Sequence, residues 1–249
     1  MIALKSAAEV DAIARAGAIL ARLFLELRPW IQPGITTAEL DRIAEEFIRG
    51  HEGAEPAFKG LYGFPGSLCT SVNQEVVHGI PSRHRRLAEG DIISIDAGVK
   101  LDGWFADAAV TYPVGEISED AQRLLDTTRR ALEAGIAQAR PGNRIGDIGH
   151  AVQSVAEAAG FGVVRDLVGH GVGRAAHEEP QVPNYGRPGH GLKLQVGLVL
   201  AIEPMLNEGG PEVRTLADRW TVVTADRRRS AHFEHTVAVT ENGPRVLTR

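Results

Sequence analysis

The order of elements in this 249-residue sequence predicts an α+β domain made of two related halves with a site at their seam. Three observations carry that expectation. A long helix, a Pro-Gly breaker, a shorter helix, a Gly-rich loop and a set of strands occur twice, in that order. The breakers Pro33-Gly34 and Pro141-Gly142 lie 108 positions apart. Asp96 and Glu203, each ending an apolar run, lie 107 apart. A repeated breaker alone is common, but the matching acids point to a paired architecture rather than a solenoid array. The expected organisation is a single domain over 1–249, with halves of about 1–115 and 116–249.

Each element has a local reason. Ser6-Ala-Ala-Glu9 is a capping box, and apolar residues at three-to-four spacing continue the helix to about Leu27. Thr36-Thr-Ala-Glu39 starts a second helix that runs to about Arg49. After a Gly-rich stretch, Lys59 to Ser67, the best hairpin spans Ile92 to Val114 around the two-residue turn Asp102-Gly103. A long helix is expected from Ser118 to Arg140 and a shorter one from Ile145 to Ala159. Strand-like runs follow at Gly162–Val168, Gly197–Ile202, Trp220–Thr224 and His232–Thr240.

Composition narrows the class. With 43% hydrophobic residues, 24% charged and a net charge of −5, the chain has enough apolar surface for a core, and disorder is disfavoured. The lone Cys69 cannot form an internal disulfide, which excludes a stapled secreted scaffold. No excess of basic charge offers a footprint for sequence-specific nucleic-acid binding. The longest apolar stretch, Ala16 to Leu27, is interrupted by Arg22 and Glu26, so no membrane span is expected. Met1 to Lys5 leads into a helix cap rather than a signal peptide, and the expected compartment is the cytoplasm.

The informative residues are acids inside strands, where acids are poor formers and seldom buried unpaired. The turn at Asp102-Gly103 pairs Asp96 with about position 109 and makes Asp107 its diagonal neighbour on one face. Like charges that close repel unless a cation or a proton lies between them. Glu203 ends Leu198-Val-Leu-Ala-Ile-Glu, and Glu234 interrupts His232-Phe-Glu-His-Thr-Val-Ala-Val. One such acid would be read as an edge-strand group facing water. Four, with His170 and His177 in Gly169-His-Gly-Val-Gly-Arg-Ala-Ala-His-Glu-Glu-Pro180, suggest two divalent ions sharing bridging carboxylates. Oxygen ligation with one nitrogen suits manganese, iron, cobalt or zinc alike.

The order Asp96, Asp107, His170, Glu203, Glu234 resembles the ligand set of the pita-bread metallopeptidases, and more narrowly that of the bacterial type I methionine aminopeptidases. Leu4-Lys-Ser6, Ala16-Gly17, Phe64-Pro-Gly-Ser-Leu-Cys-Thr-Ser-Val-Asn73, His78-Gly-Ile-Pro81, Asp91–Gly98, Ile202-Glu-Pro204 and Ser230–Val237 extend the resemblance over nearly the whole chain. It implies removal of the initiator methionine from nascent polypeptides with a small second residue. One ion would be held by Asp107, His170, Glu203 and Glu234, and the other by Asp96, Asp107 and Glu234. Hydroxide between the ions would attack the first peptide carbonyl, with Glu203 as general base. His177 would bind the scissile amide or oxyanion, and His78 the substrate from the opposite side. Phe58, Leu61, Phe64, Cys69, Ala176 and Trp220 would line the methionine pocket. Relatives often carry an aromatic residue where Ala176 stands, a small one at Phe58 and a tyrosine at Leu61. A volume swap between Phe58 and Ala176 is therefore expected.

The resemblance further implies a structural monovalent cation near Asn73 and Ser230, monomeric behaviour, and work on nascent chains at the ribosome. His51, His84, His150, His190, His232 and His235 are expected in surface, packing or supporting roles. Arg83-His-Arg-Arg86 is read as a solvated basic turn, with ribosomal RNA contact as the alternative. Prolidases and aminopeptidases P share the fold, but usually with an added N-terminal domain for which the position of Asp96 leaves no room. The 31 positions between Glu203 and Glu234 exclude the helical insertion of type II methionine aminopeptidases, and no zinc-ribbon extension is expected. A binding protein that has lost catalysis is the remaining alternative, and the intact ligands and histidines argue against it.

Overall fold

The computed structural model of the chain describes residues 2–249. Helix α1 (Ala7–Leu27) starts where expected: the Ser6 hydroxyl accepts from the Glu9 N–H, and the Glu9 carboxylate accepts from the Ser6 N–H. Helix α2 (Thr37–Arg49) opens on the same reciprocal pair between Thr36 and Glu39. These bonds occupy N–H groups that have no partner within a first turn. In the second half, α3 (Glu119–Gln138) is capped by Ser118, and α4 (Ile145–Ala158) follows the Pro141-Gly142 break. Leu20, Leu23 and Leu27 of α1 join Leu40 and Ile48 of α2 in one buried cluster. Leu124, Leu132, Ile148 and Val152 of α3 and α4 anchor a second.

The helices cover a nine-stranded sheet. In chain order the strands of the first half are β1 (Ala54–Pro56), β2 (Leu68–Val72), β3 (Glu75–Val77), β4 (Ile92–Leu101) and β5 (Trp104–Pro113). Those of the second half are β6 (Gly162–Val163), β7 (Gly169–Gly171), β8 (Glu178–Val182), β9 (Val199–Ile202), β10 (Met205–Asn207), β11 (Val213–Thr215), β12 (Val222–Thr224), β13 (Ser230–His232), β14 (Glu234–Thr240) and β15 (Gly243–Val246). The large sheet runs β1-β4-β5-β14-β9-β7-β8, with β2 beside β4 and β15 beside β14. Two three-stranded sheets, β13-β10-β6 and β11-β12-β3, complete the fold.

The hairpin is the frame of the site. Asp102 and Gly103 both have positive φ, 51° and 78°, the backbone of a tight hairpin turn whose twist matches the strands. The turn sets Asp96 opposite Ala109, as the sequence predicts. Two strand expectations need correction. Only Gly162–Val163 of the run to Val168 is strand, because after Val164 pairs with Met205 the chain leaves the sheet. The run His232–Thr240 is split at Phe233: β13 pairs with β10 in a small sheet, while β14 pairs with β5 and β9 in the large one. The chain changes sheets there, which alternation along the sequence cannot reveal.

Among the described residues, no helix is long and apolar enough to cross a membrane. Gly17 lets α1 lie directly on the C-terminal segment, since a Cβ there would stand 2.0 Å from the Leu247 carbonyl oxygen. Gly17→Ala should therefore lower stability by about 1–3 kcal/mol through overpacking, measured by urea denaturation.

Candidate active site

Strand pairing gathers the acids. Ala109 of β5 faces Asp96 of β4 on one side and Glu234 of β14 on the other, and Asp107 lies two residues along the same strand face. Glu203 follows directly after β9, whose Ile202 pairs with His235 of β14. His170 sits in β7, which pairs with β9. Ligand atoms of Asp96, Asp107 and Glu234 lie within 4.8 Å of one another, and so do those of His170, Glu203 and Glu234. The Nδ1 of His170 is 2.9 Å from the Gly171 carbonyl, so it carries the proton and donates. That leaves the Nε2 lone pair free, 3.4 Å from Glu203 Oε1 and 3.9 Å from Asp107 Oδ2. Thr236 locks Asp107 by its backbone: its hydroxyl accepts from the Asp107 N–H at 2.9 Å and donates to the Asp107 carbonyl at 2.7 Å.

The protein does not neutralise this cluster. Burial, and after it the neighbouring carboxylates, push Asp96 and Glu234 well above the usual carboxylate range. Burial and then Asp107 do the same to Glu203, and burial raises Asp107 to about 7. His170 brings no positive charge, because burial lowers its pKa to about 4. Buried oxygens of Asp96, Asp107 and Glu234 have no hydrogen-bond partner. Buried acceptors are normally satisfied. Orphaned carboxylate oxygens beside a free imidazole lone pair form a donor set that fits divalent cations.

Above the acids opens a cavity of about 290 Å³. Phe58, Leu61, Phe64, Cys69 and Trp220 make its apolar wall, with Phe64 edge-on to Trp220 at 5.1 Å between ring centroids. His78 and His177 reach it from the sides. His78 holds φ at 59°, a left-handed conformation that is costly outside glycine and clusters at functional sites. His177 sits exposed at the mouth, its ring 4.4 Å from that of His170. Burial and then Asp96 raise the Cys69 thiol well above its ordinary range, so it is no thiolate nucleophile.

Ala176 departs from expectation. It is buried beside His177 but does not line the cavity, whereas Phe58 does. Tyr62, Val77, Leu167, Val168 and Met205, not expected from the sequence, also line the wall, and so does His232, expected only in a supporting role. The Gly60 and Gly63 bracket hints at Tyr62; the apolar others look like ordinary core. His232 is fully buried with its Nε2 3.6 Å from Glu203 Oε2. Asn73 and Ser230 do meet, the Ser230 N–H donating to the Asn73 carbonyl at 2.8 Å. The Asn73 side chain is already bonded to Asp91 and Ile92.

The signature of metallopeptidase family M24 matches residues 11–241. The chain belongs to this family. It is 56% identical to a methionine aminopeptidase of Clostridium perfringens, covering 100% of this chain and 99% of that one. It is 54% identical to methionine aminopeptidase 1 of Bacillus subtilis over the full length of both. The crystal structure of a methionine aminopeptidase from Thermotoga maritima superposes with a TM-score of 0.98 at 46% identity, covering 100% of both chains. A prolidase from Pyrococcus horikoshii gives 0.80 at 22% identity, covering 99% of this chain and 63% of that one, a likeness of fold alone. This M24 chain thus has the pita-bread fold and is a metallopeptidase that uses divalent metal.

Raised carboxylate pKa values mean that the metal-free site holds protons near pH 7, while His170, lowered to about 4, is neutral and has no proton to give up from Nε2. Metal loading at pH 7 should therefore release protons from the carboxylates, and release should shrink as pH rises further above the Asp107 value. Calorimetric titration in buffers of differing ionisation enthalpy measures the number released.

Proposed function

We propose that the chain hydrolyses the first peptide bond of polypeptides beginning with methionine, favouring a small second residue. The observation that carries this reading is the placement of five metal-type donors at the base of an apolar cavity. Such a cavity suits an unbranched thioether side chain, whose apolar body gains by leaving water. Two divalent ions fit the donor set, one on Asp107, His170, Glu203 and Glu234, the other on Asp96, Asp107 and Glu234. Manganese, iron, cobalt and zinc all suit it. When bound, the metal supplies polarisation of the peptide carbonyl and acidification of a water.

The chain's own residues do the rest. Glu203 takes the proton of the attacking water as general base and returns it to the departing amine. His177, at the mouth beside His170, donates a hydrogen bond to the oxygen on which negative charge develops. His78 steadies the substrate from the Trp220 side, its ring 6.4 Å from that indole. Phe58, Leu61, Phe64, Cys69 and Trp220 exclude water around the methionine side chain. Nascent chains, met at the ribosome in the cytoplasm, are the proposed substrates of a monomeric enzyme. A monovalent cation near Asn73 and Ser230 has a structural role. The chain is one domain over 1–249, its halves 1–115 and 116–249 meeting at the metal site.

Hydrolysis of Met-Ala-Ser compared with Xaa-Pro peptides, with and without added manganese or cobalt, tests the reading. Metal-dependent release of methionine alone is expected. Preference for Xaa-Pro would make the chain a prolidase, and activity on neither would favour a binding protein. Asp96→Asn should abolish most metal-dependent turnover while leaving the circular dichroism spectrum unchanged. His177→Ala should lower kcat by about 10²–10³ with little change in KM, as expected for a group engaged chiefly in the transition state.

A further inference from the structure

The motif Leu4-Lys-Ser6 plays no part in the chemistry above, yet Lys5 is only 8% exposed. Buried lysine needs a partner, because an unpaired ammonium away from water is strongly disfavoured. Its Nζ lies 2.6 Å from Glu178 Oε2 and 3.1 Å from the Ala3 carbonyl, 173 positions of sequence separating the ion pair. Glu178 directly follows His177. Its other oxygen accepts from the backbone N–H groups of Arg174 at 2.6 Å and Ala175 at 3.2 Å. The segment between β7 and β8 is thus folded around one carboxylate, and that carboxylate is held by the N-terminal segment. Lys5 is itself fixed, its N–H donating to the Gly197 carbonyl at 2.7 Å, just ahead of β9.

The same segment is pinned from the other side. The Gly173 carbonyl accepts from the Phe105 N–H at 2.9 Å. The Arg174 guanidinium lies 3.8 Å from the centroid of the Trp104 ring. There is no slack at Gly173, where a Cβ would stand 2.5 Å from Glu178 Oε1 and 2.6 Å from Lys5 Cε. His177, in contrast, is exposed, and no protein hydrogen bond reaches its ring among the described residues. Only ring contacts with His170 and Tyr62 steady it directly, so the backbone that carries it does much to set where it stands over the cavity.

We propose that the Lys5–Glu178 ion pair is a positioning device for His177, by which the N-terminal segment completes the active site. This rests on the transition-state role given to His177 above. Neither Lys5 nor Glu178 touches substrate or metal; both act through the 173–178 backbone. Displacing a hydrogen-bond donor by about an ångström is enough to cost a large share of transition-state stabilisation. The glutamate keeps its charge because Lys5 and the two N–H groups outweigh the effect of its partial burial.

A double-mutant cycle tests this. Lys5→Met should lower kcat/KM by about tenfold or more, mainly in kcat, with bound metal unchanged. Lys5→Arg should restore most of that loss. In the His177→Ala background, the same Lys5→Met change should cost less than about twofold, because the group it positions is already gone. Should Lys5→Met fail to fold, Glu178→Gln takes its place in the cycle; its amide oxygen keeps the Arg174 and Ala175 bonds, while its NH2 group faces the Lys5 ammonium, so the hydrogen bond to Lys5 and the charge pairing are both lost. Full activity of the ion-pair variants, or equal losses in both backgrounds, would overturn the inference alone. Full activity of His177→Ala by itself would instead overturn the role of His177, and this inference with it.

Discussion

Mutual repulsion among Asp96, Asp107, Glu203 and Glu234 is the constraint around which the molecule is arranged. Two unit charges about 4 Å apart repel by about 4 kcal/mol at an effective dielectric of about 20. Four ionised carboxylates in one buried space would therefore threaten a fold whose whole stability is about 5–15 kcal/mol. Without metal the site relieves this by holding protons, as the raised pKa of Asp107 to about 7 illustrates. With divalent metal the same repulsion becomes binding free energy, because the anions are already assembled. Only a stiff frame can hold such a cluster ready, and adjacent antiparallel strands supply it.

The frame explains where the surrounding parts sit. Ala109, a small residue between two acids, lets Asp96 and Glu234 share one face of β5 without a side chain intruding. Thr236 uses its hydroxyl on both backbone groups of Asp107, so β14 fixes the ligand of its neighbour as well as supplying Glu234. Elements away from the sheet carry the histidines proposed to meet substrate: His78 with its left-handed backbone, and His177 on a segment tied to the N-terminus. Proposed metal ligands on or directly after strands, and proposed substrate-facing histidines on connections, follow a common division of labour.

Much of this is legible along the chain, and for identifiable reasons. Asp102-Gly103 specifies a two-residue turn, the turn specifies register, and register puts Asp96 opposite Ala109. The capping boxes at Ser6 and Thr36 mark both helix starts. Individual histidine roles do not come from spacing; they come with the family resemblance. The missed features are non-local. Phe233 looks like the middle of one strand and is the point of transfer between two sheets. Strand β7 is too short and glycine-rich to announce itself, and His232 gives no sign that burial will set it beside Glu203.

The sequence by itself determined the local units: capped helices, the hairpin and its register, and acids placed in strands where only a compensating cation or proton makes them tolerable. These are short-range properties, written in neighbouring residues through hydrogen bonding and side-chain alternation. Only the tertiary structure decided that β14 would lie against β5, that Lys5 would meet Glu178, and that Ala176 would stay off the cavity wall. Those outcomes depend on how distant surfaces pack. Packing is settled by the shape and burial of the whole chain at once, which no local pattern encodes.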